Sequence, residues 1–176
     1  MKLQRNSSIK GFTLVEICVA IAIMGIITVG AAKFFTQMYD LWMNNSTQTD
    51  LEQNARIAMD EMTRYIRQAS SPTVTNSVVI DRYDAGEPTT SLIRFHLLDS
   101  STIQYYQRSN ALYRNWTNPS GASLENKMTD NLADLHFIKE NAQGAADDYS
   151  IHIATITLQK GNQSVSLRGY VRIKNP

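Results

Sequence analysis

The chain has 176 residues, 17 Lys and Arg against 16 Asp and Glu, and a formal net charge of +1. That balance gives no pointer to nucleic acid or to an acidic partner, and the length suits one modest domain plus an accessory element. A single cysteine, Cys18, excludes an intrachain disulfide, so the fold must rest on its core.

The hydrophobic residues are unevenly placed. Met1 to Gly11 is short and polar, with Lys2, Arg5 and Lys10 and no acid. Phe12 to Ala32 then runs apolar with one charge, Glu16, and Lys33 ends the run. As a helix, about 21 residues rise roughly 30 Å, the thickness of a bilayer core. Basic residues ahead of such a run hold that end in the cytoplasm and place the rest outside. Three readings compete. A secretory signal could be cut near Gly30-Ala31-Ala32, but its apolar run is shorter and carries no carboxylate. A lipoprotein signal would use Cys18, but Val15-Glu16-Ile17 ahead of it is the wrong chemistry. The third reading is a retained anchor with a special N-terminal signal.

Gly11-Phe12-Thr13-Leu14-Val15-Glu16 decides for the third. With its basic leader and the apolar helix behind it, this segment resembles the prepilin signature of type IV pilins and type II secretion pseudopilins. The resemblance implies a leader of residues 1–11, cleavage after Gly11 by a prepilin peptidase, N-methylation of Phe12, and a membrane and assembly helix over 12–33. It also implies a bacterial inner-membrane precursor, spanning once, that later joins a pilus or pseudopilus. Its partners would be other pilins or pseudopilins, an inner-membrane assembly platform and membrane lipid.

Glu16 supports this chemically. A carboxylate in a membrane segment costs about 2.5–3.5 kcal/mol at the helix centre and less near an end, so it needs a partner. The amine that cleavage creates on Phe12, still basic after methylation, supplies one. Phe12 and Glu16 stand at i and i+4, so one chain could satisfy itself, and an acid in the first turn suits the helix dipole. The resemblance favours a pair between neighbouring subunits. Cys18, Ala22, Gly25, Val29 and Ala32 fall on one helical face, where small residues allow close helix packing in lipid. Small residues are also common in membrane helices generally.

The helical pattern continues from Lys33 to Ser70, with no Pro or Gly between Ala31 and Ser71. Major pilins often carry a kinking proline near the membrane exit; here Lys33 stands near that place. Phe34, Phe35, Met38, Leu41 and Trp42 predict an apolar face just beyond the membrane. Asn44 to Thr49 is polar, and Thr49-Asp50-Leu51-Glu52 has the form of a capping box, which predicts a break or loosening. Leu51, Ala55, Ala58, Met62, Ile66 and Ala69 then form one apolar face. Glu52–Arg56 and Asp60–Arg64 are spaced as ion pairs on the solvated side. Residues 34–70 are thus an extramembrane amphipathic helix, and 71–176 a β-rich head.

After Pro72 the period becomes two. Strands are expected at Val74–Ile80, Leu92–Leu98, Thr102–Gln107, Ala111–Trp116, Leu132–Lys139, Tyr149–Gln159 and Ser164–Ile173. Gly86-Glu87-Pro88 and Asn118-Pro119-Ser120-Gly121 are turn signals, Lys160-Gly161-Asn162 a hairpin turn, and Asn141–Asp148 a loop. In the last strand Val165, Leu167, Val171 and Ile173 alternate with polar neighbours, one face core and one wet. The expected class is α+β: a long N-terminal helix packed on an antiparallel sheet, as in the pilin fold.

No nucleophile elbow, phosphate loop or catalytic constellation is present, and no cofactor is implied. His96, His136 and His152 lack metal-ligand spacing. Asp147-Asp148 is the one local acidic pair that invites calcium, and neighbouring acids in a loop are usually only solvated. Tyr105-Tyr106, Tyr113 and Trp116 suit core packing first and a partner face second. The leading function is a structural filament subunit. Lack of a cysteine pair, and the likeness of Leu51–Arg56 through Arg67-Gln68-Ala69 to W-type minor pilins and J-type minor pseudopilins, favour a minor subunit. The alternative is a filament-displayed binding module for DNA, a surface or secreted cargo, although Arg82, Arg94, Arg108 and Arg114 form no basic run.

Overall fold

The computed structural model describes residues 11–70, 78–140 and 146–174, with side chains for all of these but 146–149. The leader residues 1–10, the expected strand residues 74–77, most of the 141–148 loop and the side chains of Asp147 and Asp148 lie outside the described part. The chain divides into two units between Asn44 and Asn45.

One helix, α1, spans Leu14–Arg67. It runs through Lys33 and through 44–49 without interruption, so of the break or loosening that the polar patch suggests, the break does not occur. The capping residue is used differently: Thr49 Oγ1 donates back to the carbonyl of Asn45 at 2.9 Å. Glu52 is taken by Arg56 at 2.6 Å. Breaking the helix here would orphan a turn of N–H and C=O groups that the intact ladder satisfies. Past Asn45, Leu51, Ala55, Ala58, Met62 and Ile66 are buried, as their spacing predicts. Arg64 lies over the Tyr65 ring at 4.8 Å instead of closing on Asp60. The helix tightens at its end, where the N–H groups of Gln68 and Ala69 donate to Tyr65 and Ile66. The orphan carbonyl of Arg67 accepts from the Lys174 N–H at 3.1 Å.

The head holds two antiparallel sheets where a single one was expected. The first is a meander of β1 (Val78–Asp81), β2 (Leu92–His96), β3 (Thr102–Arg108), β4 (Ala111–Thr117) and β5 (Ser123–Asp130). The second is β6 (Leu132–Glu140), β7 (Ala146–Lys160) and β8 (Gln163–Arg172). The class is α+β. Asn131, at φ 63°, is the lone residue between β5 and β6, where the chain leaves one sheet for the other. Gly161, at φ 59°, opens the two-residue β7–β8 hairpin, a position that favours glycine.

Strand β5 was not expected. It is an edge strand with little buried surface, Thr129 being its one buried residue. Its charges Glu125 and Lys127 blunt the open edge and erase the alternation that reveals a strand. β7 begins at Ala146, so the loop before it is shorter than expected. Its buried positions run Ile151, Ile153, Ile156, Leu158. The phase jump coincides with a register shift between Ile153 and Ile156, the mark of a bulge. The core joins the α1 face to both sheets, through Ile93, Phe95, Ile103 and Tyr105 on one and Leu135, Phe137, Ile153 and Ile156 on the other. At Gly169, opposite Ile153, an added Cβ would stand 3.1 Å from Met59 Sδ, so the helix approaches β8 closely there.

Candidate functional site

The chemistry-bearing residues of the N-terminal unit gather at the start of α1. Gly11, Phe12 and Thr13 precede the helix in non-helical backbone and all three are exposed, Phe12 at 84 %. Thr13 is the N-cap: its carbonyl accepts the first helical bond, from Ile17 N–H at 3.3 Å. The Thr13 N–H donates to Glu16 Oε2 at 2.8 Å, and the Glu16 N–H donates to Thr13 Oγ1 at 3.3 Å. This reciprocal pair is a capping box. Thr13 Oγ1 also donates to Glu16 Oε2, at 3.0 Å. Both bonds fall on Oε2. Oε1 accepts none among the described residues.

Sequence reasoning placed an acid near the helix dipole but missed Thr13. The signal was there, Thr-x-x-Glu directly ahead of an apolar run. Phe12 lies outside the helix, in the non-helical backbone ahead of the Thr13 cap.

A Cβ built on Gly11 meets nothing within 4 Å, and Gly11 has no left-handed φ. The fold therefore makes no demand for glycine there. The same holds at Gly25 and Gly30, which have open space around them. Each costs about 1 kcal/mol of helix propensity relative to alanine, with no return inside this chain. Cys18, Ala22, Gly25, Val29 and Ala32 do fall on one side of α1, and all are exposed. The apolar part of α1 is long enough to cross a membrane and no part of that window is covered by the chain.

In the head, the three histidines are separately occupied. His96 bonds Thr102 at 2.9 Å, His136 pairs with Asp134 at 3.0 Å, and His152 pairs with Glu140 at 2.8 Å while stacking on Tyr170. Among the described residues no group of three His, Cys, Asp or Glu is placed to hold a metal. Tyr105 and Tyr106 are buried, while Tyr113 and Trp116 are partly exposed. Burial, reinforced by the charge of Glu61, pushes the Tyr105 phenol above its usual range. Arg114 on β4 reaches Glu61 on α1 in an ion pair with side chains only 18 % and 24 % exposed. Arg108 sits 4.0 Å over Tyr113 and pairs with Glu125 at 2.6 Å. Arg108 and Arg114 are thus each held by an acid, while Arg82 and Arg94 are exposed.

Residues 6–32 match the family described as the prokaryotic N-terminal methylation motif. The chain therefore carries the N-terminal signal found in type IV pilin- and pseudopilin-like precursors. The motif and the long apolar helix are together consistent with an inner-membrane-anchored pilin. Comparison with curated protein sequences returns no match.

Proposed function

We propose that the chain is a structural subunit of a type IV pilus or type II secretion pseudopilus, made as a precursor, cut after Gly11, N-methylated at Phe12 and polymerised from the inner membrane. The observation that carries this reading is the methylation motif over 6–32, running into an exposed apolar helix whose first turn holds a carboxylate. The open space at Gly11 supports cleavage there: a prepilin peptidase needs a bare, extended backbone, and nothing in the chain itself asks for that glycine. The domain plan follows, with a leader of 1–11, a membrane helix from Phe12, and the head on the far side of the membrane. Within this class the lack of a cysteine pair and the likeness of the 51–69 helix to W-type and J-type subunits support a minor subunit, which primes assembly or sits near a tip.

Glu16 is the assembly residue. The Thr13 cap occupies Oε2 and leaves Oε1 to accept the methylated amine of a neighbour's Phe12. In lipid that attraction is strengthened by the low dielectric, and only one axial height pairs the two charges. Exposed small residues from Cys18 to Ala32, with Gly25 at their centre, allow the helices to approach.

The test is Glu16→Val in the native host. The variant should insert at least as well as wild type, because a charge costly in lipid is gone. Its intact mass should show the cut after Gly11. It should then collect in the membrane and be depleted about tenfold or more from sheared filaments or crosslinked subunit complexes, the loss expected for roughly 1.4 kcal/mol. Equal recovery of variant and wild type in those complexes would sink the assembly role.

A further inference from the structure

The stretch of α1 just beyond Lys33 has an unusual surface. At roughly 100° per residue, Leu41, Phe34, Met38, Trp42, Phe35, Tyr39 and Met43 sweep an apolar arc of about 200°, leaving Thr36, Asp40 and Gln37 a narrow polar strip. A helix that buries one face on a core needs only a stripe of about 100°. None of this arc is covered by the chain: Phe35 is 69 % exposed and Trp42 64 %. Among the described residues the ring pairs of this stretch are Phe34 with Phe35 at 6.0 Å and Tyr39 with Trp42 at 6.5 Å. By contrast, the residues that face the core begin only at Leu51.

Helix length says what lies against this arc. From Leu14 to Lys33 α1 rises about 28 Å, close to the roughly 30 Å of a hydrocarbon core. From Leu14 to Trp42 it rises about 42 Å, within the roughly 40–45 Å of a bilayer that includes both headgroup regions, so with Trp42 in the outer headgroups Leu14 stands in the inner ones. Tyr39 and Trp42 therefore fall where the rings of membrane proteins concentrate, with an apolar body in the acyl boundary and a polar edge in the headgroups. Lys33, at the inner edge of that zone, can run its stem along the helix and carry its ammonium outward. Asp40, with Thr36 and Gln37 on the narrow strip, meets only hydrated headgroups at this depth.

We infer that Phe34–Met43 is a lipid-contacting interfacial belt, in which Tyr39 and Trp42 lie in the outer-leaflet headgroup region and set the depth of the helix, so that the water boundary falls past Trp42 rather than at Lys33. The inference rests on the anchoring reading above and deepens it: the partner of this surface is the membrane interface. A belt of this kind holds the unassembled subunit at a fixed height, with Glu16 at the inner boundary of the hydrocarbon core.

The two tryptophans, Trp42 and Trp116, make the test direct. The full-length chain carrying Trp116→Phe is reconstituted in phosphatidylcholine–phosphatidylglycerol vesicles whose acyl chains are brominated either near the glycerol or near the bilayer centre. Trp42 should emit blue-shifted from water, and shallow bromine should quench it about twofold more than deep bromine, as an interfacial ring requires. A companion chain, Met24→Trp with Trp42→Phe and Trp116→Phe, places a ring near the middle of the apolar span and should show the reverse order. If the Met24→Trp ring is quenched by deep bromine while Trp42 emits as in water, the helix is inserted but the belt is not in lipid, and the inference falls. If Trp42 is blue-shifted but untouched by bromine at either depth, it is covered by protein, and the inference falls as well. Absence of quenching at both positions overturns the anchoring reading itself.

Discussion

Helix α1 carries the tetrad Thr-x-x-Glu twice, with opposite results. At Thr13–Glu16 it caps: the two residues exchange hydrogen bonds and the helix begins. At Thr49–Glu52 it does not: Thr49 bonds back to Asn45, Glu52 turns to Arg56, and the helix continues. What differs is the chain upstream. Ahead of Thr13 stand Gly11 and Phe12 in non-helical backbone. Ahead of Thr49 stands an established helix whose ladder already satisfies the N–H groups that a cap would serve. A local signature acts only where the longer-range structure leaves it donors to satisfy. The same contrast governs side chains. On one side of Asn44 the apolar residues of α1 are exposed, and on the other Leu51, Ala55, Ala58, Met62 and Ile66 form a buried face.

The largest effect that would sharpen this contrast comes from one chemical change made on both sides. Met62 is fully buried and Ile23 is 52 % exposed. Met62→Ala should cost the head about 2–5 kcal/mol through lost burial and a residual cavity. Ile23→Ala should leave the unfolding of the head where it was. Urea titrations of the detergent-solubilised chain, followed by near-ultraviolet circular dichroism, compare the two. Equal midpoints would mean that the Leu51–Ile66 face does not hold the head together.

Next in size is the ion pair that ties α1 to the first sheet. Arg114→Met leaves the partly buried Glu61 carboxylate without its ion-pair partner. The expected cost is about 1–3 kcal/mol, below the roughly 3–5 of a fully buried pair because water still reaches both groups. Adding Glu61→Met should recover most of it, since a matched apolar pair removes both desolvation penalties. A double variant as unstable as the single one would show that Arg114 acts through packing against Tyr65 and not through charge.

The smallest difference separates the two tetrads themselves. Thr13→Ala should weaken the helix start by about 1 kcal/mol, the ordinary worth of an N-cap. Thr49→Ala should change stability by no more than about 0.5 kcal/mol, since it removes only a back-bond inside an intact helix. Hydrogen exchange of the Val15–Ile17 and Leu51–Gln53 amides reads both. Faster exchange at the second site than at the first would reverse the assignment of caps.

Much of this was legible in the residues. The i, i+3, i+4 spacing from Leu51 to Ile66 names the buried face because a helix repeats at 3.6 and water enforces the rest. Gly161 marks a hairpin because few other residues take its φ. The alternation from Val165 to Ile173 appears unchanged in burial. β5 was hidden, because an edge strand with no buried face has no pattern to show. The β7 bulge could have been read from the jump between Ile153 and Ile156, a period-two run that slips by one.

The sequence by itself determined the signal, the apolar helix, the strand-rich head and the α+β class, because each is written in period, composition or local motif. Tertiary structure alone decided which Thr-x-x-Glu caps, how the strands divide into two sheets at Asn131, and that Arg114 meets Glu61 across 53 positions of chain. Those outcomes depend on which donors, faces and charges remain unsatisfied once everything else is in place, and no window of the sequence holds that information.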